Sequence, residues 1–151
     1  MSADVAASTH AADRTRSAIR FIVPVGRVLF AAIFVASGPG HFSQNMVGYA
    51  AAQGVPMAKL AVPVAGILAL LGGLGIALGY RARLGAWLLV IFLVPVTLYM
   101  HAFWGVKDPQ MAMMQQVSFM KNVSMLGGAL LLAYFGAGPV SLDARRTTPG
   151  L

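Results

Sequence analysis

The chain has 151 residues, about one domain on the usual length prior. Its residues are 58% hydrophobic and only 10% charged, against about 25% charged in a typical soluble domain, and so short a chain cannot enclose that much apolar surface in one aqueous core. A soluble enzyme, a disordered protein and a nucleic-acid-binding module are excluded, because the net charge of +7 resides in basic residues that flank apolar runs instead of lining one face.

The absence of cysteine excludes disulfides, iron–sulfur clusters, thiolate metal sites and dithiol relays. There is no glutamate either, and the acids are Asp4, Asp13, Asp108 and Asp143. No metal site is expected. The composition is that of an integral membrane protein, all-α, since no stretch alternates polar with apolar over the length a barrel strand needs.

In chain order, residues 1–18 are rich in Ala, Ser and Thr and are expected to be a disordered cytoplasmic tail. A four-helix transmembrane domain is expected over 19–140. Spanning a bilayer takes about 20 helical residues, and the uncharged runs 60–80, 84–106 and 122–142 each suffice. The first segment is as long but contains Arg27. Spans are predicted near 20–40, 60–80, 84–104 and 117–137, with a cytoplasmic tail over 141–151 that lacks structure from Arg145 onward. Between the first two spans, residues 46–53 are predicted as a short helix lying in the membrane interface, ended by Gly54 and Pro56. Arg14, Arg16, Arg20, Arg81, Arg83, Arg145 and Arg146 fall on one side and only Lys59 and Lys107 in the opposite loops, so both termini are predicted cytoplasmic.

Small residues four apart, Gly75/Gly79, Ser124/Gly128 and Ala32/Ala36/Gly40, are read as close-packing faces. The Gly75/Gly79 type of face would also suit self-association. Polar groups inside spans are costly and usually face a bundle interior or a wet cavity. Arg27 lies about 10 Å beyond Arg20 along a helix and either snorkels to headgroups or is a buried polar group of the first helix. Lys121 is expected about one turn inside the outer end of the fourth helix. With both termini inside, His41, His101, Trp104, Lys121 and Asn122 fall in one outer layer. Taken singly, a boundary histidine is a surface hydrogen-bonding residue and Phe103-Trp104 an interfacial belt. Together they would suit an electron-rich flat ligand such as a quinone, held by Lys and His and stacked on Trp. A bis-histidine haem between His41 and His101 is the less favoured alternative.

Several local motifs resemble the DoxX family: Gly26-Arg27, Ser37-Gly38-Pro39-Gly40-His41-Phe42, Gly54-Val55-Pro56, His101-Ala102-Phe103-Trp104, Phe119-Met120-Lys121-Asn122 running into Leu126-Gly127-Gly128, and Gly138-Pro139-Val140-Ser141-Leu142-Asp143. They cover about residues 20–144 in order. One departure is His41, where members often carry lysine. The resemblance implies a four-helix bacterial inner-membrane protein, related in architecture to the vitamin K epoxide reductase and SURF-type domains. Epoxide-reductase chemistry is excluded because it needs cysteines. The family takes its name from a subunit of a thiosulfate:quinone oxidoreductase. The implied function is therefore a quinone-linked redox subunit or membrane partner of an oxidoreductase complex, with the lipid bilayer and a redox protein as partners. The alternative is a non-catalytic anchor, assembly protein or small-solute carrier.

Overall fold

The structure, a computed structural model, describes residues 20–147; the predicted tail over 1–18 and the stretch 148–151 lie outside the described residues. The order is α1 (Ile22–Ser37), a 3-10 turn (Gly38–Phe42), α2 (Gln44–Ala52), α3 (Ala58–Leu78), α4 (Ala82–Met100), a second 3-10 turn (Phe103–Gly105), α5 (Pro109–Phe135) and α6 (Leu142–Thr147). No strand occurs among the described residues. The four long helices are long and apolar enough to cross a membrane.

Their ends follow local chemistry. The helical conformation of α1 gives way at Ser37, where Gly38-Pro39-Gly40 tightens it into a 3-10 turn. Ser43 starts α2 by accepting from the Met46 N–H at 3.2 Å. Gly79 ends α3 in the left-handed conformation at φ +62 that glycine adopts without steric cost. α5 begins at Pro109, well before the expected residue 117, because Asp108 caps it at 2.7 Å from the Met111 N–H and proline fits the first helical position.

The helices run up and down, with α1 packed on α3, α3 on α4 and α4 on α5. The core contains Ala31, Phe34, Ala69, Ile76, Leu89, Phe92, Leu93 and Ala129. α3 and α4 touch backbone to backbone: a Cβ on Gly72 would lie 2.8 Å from the Gly85 carbonyl oxygen. Leu29, Leu71, Leu131 and many other large apolar side chains stay exposed, as lipid-facing positions should, since hydrocarbon satisfies them.

Of the two readings of Arg27 the buried one holds: it is 3% exposed, and its guanidinium donates to the carbonyls of Ala137 and, at 2.9 Å, Val140. Two other expectations need correction. The Gly75/Gly79 face is occupied from within the chain, because a side chain on Gly79 would run into Ser141 and Arg27 and one on Gly75 would press on the Tyr80 carbonyl. Residues 145–147 are ordered in α6, whose first turn Ser141 caps by accepting from the Ala144 N–H at 3.0 Å. By contrast Ala32, Ala36 and Gly40 form an exposed stripe that no other helix among the described residues covers.

At the Arg27 end the segment after α5 is strapped to the α3–α4 turn. The Asp143 carboxylate accepts from the Arg81 and Ala82 N–H groups at 2.7 and 3.0 Å, its own N–H donates to the Gly79 carbonyl at 2.8 Å, and Arg146 stacks over Tyr80 at 4.6 Å. Arg81, Arg83, Arg145 and Arg146 thus gather at one end of the bundle, and Lys59 and Lys107 at the other.

Candidate functional site

α1 is short, and its early end shapes the opposite half of the molecule. The chain turns at Gly38–Phe42 and sends α2 across the ends of α3 and α4, where Ala50 packs with Ala58, Val62 and Met100. The short helix expected over 46–53 is thus present at Gln44–Ala52, with Ala50 buried against the bundle. Beneath it lies a cavity of about 350 Å³, whose polar lining is Ser37, His41, Tyr49, Tyr99, His101, Lys121 and Asn122. Phe34, Phe92, Leu93 and Met125 contribute to its apolar walls.

Four of the five residues expected in the outer layer therefore meet: His41, His101, Lys121 and Asn122. Trp104 does not join them. It is 64% exposed and stacks edge-on with Phe103 and Phe119, at 5.4 and 5.9 Å, outside the lining. The aromatic side chains on the lining are instead Phe34, Phe92, Tyr49 and Tyr99.

The depths also differ from the expected single layer. Gln115 hydrogen-bonds His101 at 2.8 Å and so stands level with the end of α4. Lys121 is six residues further along α5, roughly 9 Å deeper, and more than three turns into a helix that starts at Pro109. His41 is deep as well: its ring meets Phe92 edge-on at 5.6 Å. Gly66 permits this, since a Cβ there would lie 2.7 Å from the His41 Cβ. His101 marks the mouth; His41 and the buried Asn122 lie deeper, and the exposed Lys121 borders the cavity on its α5 side.

Hydrogen bonding sets the character of each group. The Ser37 carbonyl can only accept, so His41 Nδ1, 3.2 Å away, donates to it. His101 Nδ1 lies 2.8 Å from the side-chain amide of Gln115. Asn122 is 4% exposed and lines the cavity. No acidic residue lines the cavity, so Lys121 presents an ammonium without a counter-ion there. An ammonium, an amide and two imidazoles in apolar walls favour an electron-rich polar headgroup on an otherwise apolar molecule.

Ser37, Tyr49, Tyr99 and Gln115 escaped the sequence analysis. Gln115 was obscured by the belief that the fourth span begins after it. The Asp108-Pro109 cap signature was the cue that would have placed it on a helix. The tyrosines carry no sequence signal apart from their place near span ends.

Comparisons with known proteins agree with this architecture. The DoxX family model matches residues 22–102. The chain is 31% identical over 126 residues to the inner membrane protein YphA of Escherichia coli K12, across 80% of this chain and 87% of that protein. It is 33% identical over 129 residues to the inner membrane protein YqjF of the same organism, across 80% and 88%. A Surfeit locus protein 4 homolog of Drosophila melanogaster is 31% identical over 72 residues, 47% of this chain and 27% of that protein. No solved structure matches. With a family match over more than half its length and two inner-membrane relatives of nearly full length, this chain belongs to the DoxX family of multi-pass membrane proteins.

Proposed function

We propose that the cavity under α2 binds a quinone headgroup and that the protein serves as the quinone-binding membrane subunit of an oxidoreductase, with a partner redox protein exchanging the two electrons. The observation that carries this reading is Asn122. Its side-chain amide belongs to the polar lining of a cavity whose walls are largely apolar, and a ligand carbonyl there would accept from it with little competition from water. Lys121 beside it donates to the same or the second carbonyl, and charged hydrogen bonds are the stronger kind. Phe34 and Phe92 offer the flat apolar surface a quinone ring prefers. Reduction of the ring takes up two protons along with the two electrons, and the imidazoles are the groups that would hold the resulting hydroxyl groups. The Arg-rich end faces the cytoplasm in this reading, which sets the cavity mouth toward the outer side.

The test is a quinone titration of the protein purified in mild detergent, followed by intrinsic fluorescence. Asn122→Leu and Lys121→Ala should each weaken binding by about 1–3 kcal/mol, or about 5- to 150-fold. The double variant should lose less than the sum, because the two groups share one ligand. A Soret band in the purified protein, abolished by His41→Ala or His101→Ala, would assign a haem instead. Equal quinone binding by wild type and double variant would leave the non-catalytic reading, an anchor or a carrier of a small neutral or anionic solute.

A further inference from the structure

We infer that the ligand enters this cavity sideways from the bilayer, through a gap between α1 and α5, and that it therefore carries a hydrocarbon tail lying in that gap. The inference rests on the quinone reading and narrows it from a soluble to a membrane-borne quinone.

The gap follows from how the two helices face each other. They are antiparallel, and they close on each other where Phe30 fills the space over Gly128, so that a Cβ there would meet the ring at 2.8 Å. From that contact the facing rows diverge in sequence: α1 rises through Ile33 to Ser37, while α5 is traced back through Met125 to Lys121. Residues three and four apart lie one above another on a helix, so Ile33 stands level with Met125, and Ser37 with Lys121. All four line the cavity. Above Ser37 there is no more α1, because the chain has turned into Gly38–Phe42 and left this side of α5 uncovered.

Burial on α5 agrees. Of its 27 residues only Asn122 and Ala129 are buried, and its partner along most of its length is α4 alone. Ile33, at the edge of the gap, is 39% exposed although it lines the cavity. It thus borders both the cavity and the surface facing lipid. On that surface an alkyl tail loses nothing by lying in the gap, since lipid and gap are equally apolar. The polar groups sit at its inner end. A headgroup drawn to Lys121 and Asn122 would trail its tail out past Ile33 and Met125 with no charged residue in the way.

The experiment compares two benzoquinones with the same head, one bearing a ten-carbon tail and one only a methyl group, on wild type and Ile33→Trp in vesicles. The indole of the variant projects into the gap from a half-exposed position. Wild type should bind the tailed probe at least tenfold more tightly than the short one. Ile33→Trp should cut that ratio to threefold or less. Partitioning of each probe into the vesicle is the same for both proteins, so the change in ratio reports the gap alone. Wild type binding both probes equally would overturn lateral entry while leaving the quinone reading intact, as would an unchanged ratio in folded Ile33→Trp. Should that variant fail to fold, Met125→Trp on the facing helix makes the same comparison. Binding of neither probe would overturn the quinone reading and the inference together.

Discussion

Replacing Arg27 by leucine removes the side chain that hydrogen-bonds α1 to the segment following α5. Its guanidinium donates to two carbonyls, of Ala137 and Val140, and Ala137 is buried. Hydrogen bonds to charged groups contribute roughly 1.5–3 kcal/mol each, and orphaned buried carbonyls add their own desolvation cost. Leucine restores part of this through better burial, and the Nε of Arg27 already lacks a partner, so the net loss should be about 3 kcal/mol. At about 2–4 °C per kcal/mol for a domain of this size, the melting midpoint in detergent should fall by about 6–12 °C. Arg27→Lys should recover less than half of the loss, because a point charge cannot bridge two carbonyls as the planar fork does. Hydrogen exchange adds a local readout: the Asp143 amide, bonded to the Gly79 carbonyl, should exchange faster in the leucine variant. A midpoint within 2 °C of wild type, with unchanged exchange over residues 137–143, would refute the clamp and return Arg27 to the headgroups.

Asp143→Ala deletes the cap on the first turn of α4 and should cost about 0.5–2 kcal/mol, the usual range for a lost N-cap, read as a lower melting midpoint with the cavity's quinone affinity unchanged. Gly72→Ala forces a methyl group against the Gly85 backbone and should cost about 1–3 kcal/mol through overpacking, whereas Gly127→Ala, with open space around it, should melt like wild type. Reporter fusions after Gly54 and Asp108 should read as periplasmic and those after Arg83 and Arg146 as cytoplasmic; the reverse pattern would turn the cavity mouth toward the cell interior.

The four spans were legible because membrane helices must be long, uncharged and internally bonded, and charge spacing alone reports that. Their ends were less so. Hydropathy placed the last helix too late, since Gln110, Gln115 and Gln116 dilute its apolar character, while the Asp108-Pro109 cap that starts it lies outside any hydropathy window. Residue type and depth sufficed to group His41, His101, Lys121 and Asn122. What they could not give was the 3-10 turn after Ser37, which sets His41 beside Phe92 and depends on Gly66 lying across from it. Arg27 was legible as costly in lipid. Its acceptors were not, because they are backbone carbonyls from more than a hundred residues away, and backbone groups leave no mark on sequence.

That separation has a consequence for how the molecule is made. Arg27 enters the membrane with the first helix, and the carbonyl of Ala137 follows 110 residues later. During that interval the guanidinium has only lipid phosphate or water to satisfy it, and α1 is free to shift toward the headgroups. Arrival of residues 137–143 draws the first helix to its final depth. The seating of α1 is thus an event of late biogenesis, and with it the level of the turn that bears His41. A chain interrupted before Ala137 could insert all its spans and still leave the guanidinium of Arg27 without its two carbonyl acceptors.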